Sequence, residues 1–540
     1  MKKEDQIFNK KSFLSIFESD PVRRIIIAVI SIILISGAVY LRFHNLGKFG
    51  FWTDELWHVL AAKGLIDTGH PSLPGGTEYR RAQMFTFLVY KSFQIFGINE
   101  MAARIPSVMF NILFILAGYF IIKNWYNKSS AIIFCIIIGF SPYILEITRQ
   151  SRMYTAFQLF YFLGTYFFWV WFERSRTIYS VGPLKNIERK YNINILYLVL
   201  ALVVFFVSHH FHDLTFIYAL VFGFYIVIVL FTDENTFSVT EILKNKYGIV
   251  LTFFIGIALL ILIINPGYYV RIIHSATTMP GWKMGAFDDV KLYSWRLRVE
   301  YPAFFFLYPI SALYMIKKDF KKGLYITLSF LVPFAVHSFV FKWKEERFMI
   351  YFFPFFILSI AVIMDAIINA VWREMKQLKT KLNYLNTLIP FCFVFSMFIF
   401  LFPWFFNSRH MTNYIWWTDW KPSLTHISTL LNKDSKVITI LDDKPVIYYY
   451  LKNPDYFIVP KVFYQDEAEA YKNFNSKEVK NVKDLSTIIE NNHDVWVIAR
   501  KDEYFNENRF FRNDMMKYIA ENFYVLDSNV DKDILIFRNK

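Results

Sequence analysis

A 540-residue chain that is 55% hydrophobic and 20% aromatic, with 61 Phe and 34 Tyr, does not have the composition of a soluble protein. A net charge of +15 suggests nucleic acid only at first sight, because Lys and Arg cluster in short segments between apolar runs. No RNA-binding aromatic motif, Gly-rich phosphate loop or zinc-ligand cysteine pattern accompanies them. The two cysteines, Cys135 and Cys392, lie inside apolar runs and build no disulfide framework.

In chain order, a basic leader (Lys2, Lys3, Lys10, Lys11, Arg23, Arg24) precedes the first apolar run. It is longer than a signal peptide's and no small-x-small cleavage site follows, so the run reads as a retained first helix with a cytosolic N-terminus. Apolar runs fall near 25–42, 105–122, 130–145, 155–172, 193–208, 214–231, 248–265, 302–316, 323–341, 348–370 and 387–406. That predicts an all-α polytopic membrane protein of about eleven spans. The run 82–97 is short and interrupted by Lys91, Ser92 and Gln94, and reads as an interfacial helix. With it lying on the membrane, Lys123–Lys128, Glu173–Lys190, Asp233–Lys246, Lys317–Lys322 and Arg373–Lys381 fall in the cytosol, as the positive-inside rule asks.

Segments 43–103, 144–154, 267–300 and 342–347 then face outward, with the chain beyond Asn407. Several carry basic residues against the rule: Arg80, Arg81, Arg149, Arg152, Lys342, Lys344 and Arg347. A phosphate ligand supplies a cause. Beyond Ser408, Lys436–Leu441, Tyr456–Val459, Asp494–Ala499 and Ile534–Phe537 read as strands, with helices over Leu485–Asn491 and Asn508–Glu521. The predicted organisation is a cytosolic leader (1–24), a transmembrane domain (25–407) and a small extracytosolic α/β domain (408–540).

Asp54-Glu55 sits in the first outer loop, between Trp52 and Trp57-His58. Ionised side chains beside hydrocarbon cost roughly 2.5–3.5 kcal/mol on insertion scales unless they face water, a partner or a substrate. Phe96-Gly97 leads through Ala103-Arg104-Ile105-Pro106-Ser107 into the next span. Ser141-Pro142-Tyr143 precedes Arg149-Gln150-Ser151-Arg152-Met153-Tyr154, and Lys344-Glu345-Glu346-Arg347-Phe348 precedes Pro354. This ordered set resembles the polytopic glycosyltransferases of the GT-C fold, most of all glycosyltransferase family 39, which includes protein O-mannosyltransferases and lipid A aminoarabinose transferases.

The resemblance implies that Asp54 is the catalytic base, taking a proton from an acceptor hydroxyl as it attacks the anomeric carbon of a polyprenyl-phosphate-linked sugar. The acceptor is a protein, lipid or glycan, and no nucleic acid takes part. Glu55, Arg81, Arg149, Arg152, Tyr154, Lys344 and Arg347 are the candidate substrate contacts; guanidinium groups pair with phosphate in a bidentate way and keep their charge near lipid. Bland readings stand beside these: Glu55 as a helix-start residue, His58 as a stacked histidine, Arg80-Arg81 snorkelling to headgroups, the 344–347 charges pairing among themselves. Relatives often carry Lys-Pro-Pro where this chain has Arg81-Ala82-Gln83. Related oligosaccharyltransferases carry Asp-x-Asp for metal where it has Tyr154-Thr155-Ala156, so no cofactor is expected. His209 and His212, in a short turn between spans, are the weak metal candidates. Loop 267–300, rich in aromatics and Gly, reads as a cover over the donor. A transporter or lipid flippase is the competing class; it places ionisable residues near the bilayer midplane, whereas here they collect at one rim.

Overall fold

The computed structural model describes residues 21–173, 183–232, 245–264, 290–342, 344–377, 419–440, 443–458, 476–501, 513–526 and 534–540, with single residues 267, 270 and 474. The run 387–406 and most of loop 267–300 lie outside the described residues.

Each remaining apolar run is a helix. In order they are α1 (Pro21–Phe43), α2 (Thr53–Thr68), α3 (Gln83–Phe96), α4 (Glu100–Trp125), α5 (Lys128–Phe140), α6 (Pro142–Thr148) and α7 (Tyr154–Glu173). There follow α8 (Pro183–Tyr191), α9 (Ile195–Phe211), α10 (Ile217–Thr232), α11 (Lys246–Ile264), α12 (Leu292–Glu300), α13 (Pro302–Lys318), α14 (Phe320–Ala335) and α15 (Phe353–Gln377). Helices start where a side chain can take an orphan N–H: Asn99 accepts from Ala102, Asn127 from Ser130, Ser141 from Ile144, Asn194 from Tyr197 and Asp319 from Lys322.

Among the described residues four helices are long and apolar enough to cross a membrane, and up to seven spans result if three bent pairs each count as one. The chain is thus a multi-pass membrane protein. One bend, of 60°, separates α5 from α6 at Ser141-Pro142, where proline starts a new helix after an extended residue. Beyond α6 the chain runs through residues 149–153, from which Arg152 reaches Asp54. Helix α3 has 14 residues, which at 1.5 Å each is about 21 Å, short of the ~30 Å hydrocarbon core. It buries Phe85, Val89 and Phe93 and exposes Phe87, Ile95 and Phe96.

The C-terminal part carries a six-stranded sheet in the order β3-β2-β1-β4-β6-β5, with β1 (Lys436–Ile440), β2 (Tyr456–Ile458), β3 (Lys477–Val479), β4 (Val495–Arg500), β5 (Phe523–Val525) and β6 (Ile534–Asn539). Strands β1 to β4 are parallel, and β5 and β6 run antiparallel at one edge. Alternate residues of β4 enter different cores. Trp496 and Ile498 join Val437 under α16 (Trp420–Ser428) and α17 (Lys444–Tyr450); Val495, Val497 and Ala499 join Leu485 and Ile519 under α18 (Val482–Glu490) and α19 (Asn513–Asn522). Burial on both faces explains why these strands read as unbroken apolar runs. Strands β3 and β5, three residues each, are too short to show a period.

This domain grips the loop that leads into α2. Asp419 Oδ1 accepts from Gly50 N (3.0 Å), Tyr450 Oη accepts from Phe51 N (2.7 Å), and Tyr450 donates to Glu100 at the start of α4 (2.9 Å). A Cβ on Gly50 would fall 2.8 Å from Asp419 Oδ1 and 3.0 Å from Lys421 Cβ, so only glycine permits this approach.

Lys444 in α17 is fully buried, with its Nζ 3.8 Å from the Phe457 ring centroid, and burial pushes its ammonium down to about 7. An unfolded lysine holds its proton to about 10.4, so between these values the unfolded state binds more protons and folding stability rises with pH. Hydrogen exchange of the β1 and β4 amides, corrected for intrinsic rates, is expected to show rising protection from about pH 7 to about pH 9. Lys444→Met is expected to flatten that rise; an unchanged slope contradicts the assignment.

Candidate active site

Asp54 and Glu55 occupy the first turn of α2. Neighbours on a helix are about 100° apart, so the two carboxylates point to different surroundings. Glu55 is fully buried, and Arg104 donates to it twice, Nε to Oε1 at 2.9 Å and Nη2 to Oε2 at 2.8 Å. Its oxygens also accept from Ser151 N (2.6 Å) and Trp52 N (2.9 Å). Arg104 spends its other N–H groups on the carbonyls of Leu46 (2.9 Å), Phe49 (3.0 Å) and Gly50 (2.9 Å). The expectation of a substrate contact at Glu55 is therefore corrected: its acceptors are committed, and it holds the loop, α4 and the residue before Arg152 in register.

Asp54 turns the other way and is 28% exposed on its side chain. Its Oδ2 lies 2.5 Å from Arg347 Nη1 and 3.8 Å from Arg152 Nη2, and Arg152 Nη1 donates to the Asp54 carbonyl at 2.6 Å. Arg347 also pairs with Glu345. Its guanidinium carbon lies 5.0 Å from the Trp52 ring and 5.6 Å from Tyr154, and that of Arg152 lies 5.5 Å from Tyr154. Burial opposes the charge of Arg347, but Glu345, Tyr154 and Asp54 together outweigh it and hold the group above its ordinary range. The structure thus brings Asp54, Arg152, Tyr154 and Arg347 together from three distant segments.

Around this centre several buried polar atoms make no hydrogen bond to any of the described residues: Arg152 Nε, Arg347 Nε, Tyr154 Oη, His58 Nε2 and His212 Nε2. Each buried group left unsatisfied costs about 1–3 kcal/mol, so a cluster of them marks a place built for an acceptor-rich partner. His58 sits edge-on to Phe85 (5.0 Å) and Tyr79 (5.3 Å) with Nδ1 2.9 Å from Thr86 Oγ1. Burial, then Arg152 and Arg81, push it well below its usual pKa, so it is neutral. Arg81 is exposed, has no carboxylate partner among the described residues, and bears electrostatically on both His58 and His212. Arg80 pairs with Glu78 at 3.0 Å in the open.

One further expectation is corrected. Arg149 does not face Asp54; its Nη1 and Nη2 donate to the carbonyls of Leu41 (3.0 Å) and His44 (2.7 Å), closing the end of α1. Lys344 is buried near His337. His209 lies 3.9 Å from Asp213 in an exposed pair, whereas His212 turns inward, so the two do not converge. No group of three or more His, Cys, Asp or Glu side chains suited to a metal occurs among the described residues. Sequence reasoning missed Arg296, which gathers Glu146 (3.1 Å), Glu300 (2.5 Å) and Glu346, and it missed Trp52 as the ring over Arg347. Of these contacts only Arg296–Glu300, four residues apart on α12, is local in the sequence; Glu146, Glu346 and the Trp52–Arg347 stack join segments far apart in the chain.

Known proteins share this arrangement of elements. The family described as dolichyl-phosphate-mannose-protein mannosyltransferase matches residues 80–232, and the Alg9-like mannosyltransferase family matches residues 295–446. ArnT from Cupriavidus metallidurans superposes with a TM-score of 0.58 at 10% identity, over 96% of this chain and 99% of that one. A second structure of it, bound to undecaprenyl phosphate, gives 0.57 at 11% identity, over 94% and 98%. The oligosaccharyltransferase AglB from Archaeoglobus fulgidus, in complex with an inhibitory peptide and a dolichol-phosphate, gives 0.61 at 12% identity, over 88% of this chain and 69% of that one. No curated protein sequence matches the chain. The chain has the GT-C fold of polytopic membrane glycosyltransferases.

Arg104→Met leaves Glu55 buried and unpaired, which is expected to cost about 3–5 kcal/mol, whereas Asp54→Asn in the half-exposed position is expected to leave stability nearly unchanged. Thermal unfolding of the purified variants checks the contrast; equal losses contradict the division of labour between the two carboxylates.

Proposed function

We propose that the chain is an inverting glycosyltransferase that moves a sugar from a polyprenyl-phosphate donor to an acceptor hydroxyl at the outer face of the cytoplasmic membrane. The observation that carries this reading is Asp54 held between Arg152 and Arg347 within a ring of unpartnered donors. The acceptor oxygen attacks C1 of the sugar from the side opposite the phosphate. The C1–O bond to phosphate breaks with its electrons staying on the phosphate, and the acceptor's proton passes to Asp54. A phosphate leaves without acid help, so one carboxylate suffices where a glycosidase uses two.

Arg347 donates to Asp54 with the same guanidinium that a phosphate would engage. Donor binding therefore competes for Arg347 and releases the carboxylate to act as base. Arg152 and the exposed Arg81 supply the remaining positive charge. The donor class is supported by the undecaprenyl phosphate and dolichol-phosphate bound in the two structural neighbours. It is also supported by an apolar groove of about 260 Å³ between α3 and α4, lined by Leu88, Ile95, Phe96, Met109 and Leu113, which suits a prenyl chain. The outward orientation rests on the basic connections assigned above to the cytosolic side.

Asp54→Asn is expected to lower transfer by roughly 10²–10⁴-fold in assays with polyprenyl-phosphate sugars and candidate acceptors; undiminished transfer refutes the base assignment. Reporters fused after Lys91 and after Lys123 are expected outside and inside respectively, and the reverse pattern overturns the orientation.

A further inference from the structure

His212 ends α9 in a tight turn whose polar groups are otherwise mutually satisfied. Its N–H donates to Ser208 O (3.0 Å), Thr215 Oγ1 donates to its carbonyl (2.8 Å), and the Ser208 and Thr215 hydroxyls are 2.9 Å apart. The ring is fixed by stacking on Phe157 (5.1 Å, 26°), beside Tyr154 (5.7 Å) and edge-on to Phe348 (6.2 Å). Tyr154 and Phe348 are two of the rings that flank the Arg347 guanidinium, at 5.6 and 5.9 Å. Imidazole and guanidinium therefore share one aromatic enclosure.

The tautomer follows from the turn. Leu214 N lies 3.2 Å from His212 Nδ1, and a backbone N–H can only donate, so Nδ1 carries the lone pair and Nε2 the proton. That Nε2–H is sealed and has no acceptor among the described residues. We infer that the Nε2–H of His212 is a neutral hydrogen-bond donor to a phosphate oxygen of the bound lipid substrate, an assignment that rests on the reading of Asp54 and the arginines given above. The charged and titratable groups bearing on the ring are Arg81 before α3, Arg152 before α7, Arg347 before α15 and His337 after α14. Burial, with these groups added, keeps the imidazole well below its usual pKa. An anionic oxygen drawn in by the guanidiniums that bear on this ring is an acceptor matched to its N–H. A neutral donor also has a consequence for turnover. A fourth cation would favour the released phosphate monoester dianion over the monoanionic diester donor, and a neutral N–H adds directionality without that bias.

Two amides separate the roles of the two ring nitrogens. His212→Asn offers an acceptor to Leu214 N–H but nothing at the Nε2 position; His212→Gln reaches the Nε2 position with its NH₂. The readouts are the KM for the lipid-linked donor and the inhibition constant of polyprenyl phosphate itself, with thermal unfolding as the control. His212→Asn is expected to weaken both by roughly 10- to 100-fold, the worth of a hydrogen bond to a charged group, and His212→Gln to stay within about threefold of the natural protein. A fully active His212→Asn beside an impaired His212→Gln overturns the inference, since only the cap would then matter. Slowed transfer with unchanged affinity for polyprenyl phosphate overturns it too. In the natural protein, donor KM is expected to be flat from about pH 8 to about pH 6; tightening as pH falls would mean a protonating imidazole and contradict the neutral donor. If these tests fail while Asp54→Asn still abolishes transfer, this inference falls and the glycosyltransferase reading stands.

Discussion

The arrangement depends on one buried ion pair, Glu55 with Arg104. A carboxylate and a guanidinium withdrawn from water gain from each other only if every remaining donor and acceptor is also placed. Here Glu55 takes four N–H groups and Arg104 reaches three carbonyls of the loop entering α2. The pair thereby ties α2, α4, the 46–50 loop and Ser151 to one point. Asp54, one residue earlier, inherits its position from that point and faces a different side of the helix. Of two adjacent carboxylates, one is used up in holding the other.

Around Asp54 the charges nearly close on themselves: Arg347 bridges it to Glu345, and Arg152 reaches it from the α6–α7 turn. What remains open is hydrogen-bonding capacity rather than bare charge, in the unpartnered atoms of Arg152, Arg347, Tyr154, His58 and His212. Such a site is silent toward water and receptive to a group that brings several acceptors at once. The C-terminal sheet takes part from a distance. Asp419 and Tyr450 hold Gly50 and Phe51, four and three residues before the carboxylate, so the C-terminal part bears directly on the geometry of the loop.

Much of the fold was legible because hydrocarbon leaves a long, coarse signal. The apolar runs from 25–42 to 348–370 each gave a helix, and four strands of the sheet lie within two residues of where their apolar blocks predicted. The site was legible only in part. Asp54, Arg152, Tyr154 and Arg347 were singled out because charges and an aromatic at a membrane rim demand a reason. Glu55 and Arg149 satisfied the same criterion and serve the scaffold instead. A sequence does not show that residue 55 points about 100° away from residue 54, or that the guanidinium at 149 meets the free carbonyls of α1. His212 looked like half of a metal pair with His209; the turn directs one ring into the aromatic core and leaves the other in an exposed pair. Of the Arg296 cluster only the i,i+4 pair with Glu300 was open to a sequence reading, since the other carboxylates come from positions 146 and 346.

The most direct measurement is a structure of the protein with polyprenyl phosphate in lipid nanodiscs. Phosphate density is expected to bridge Arg152 and Arg347, with the Asp54 carboxylate withdrawn from Arg347. Phosphate lodged elsewhere, with the Asp54–Arg347 pair intact and shut off from it, would contradict the assignment of Asp54 and the two arginines.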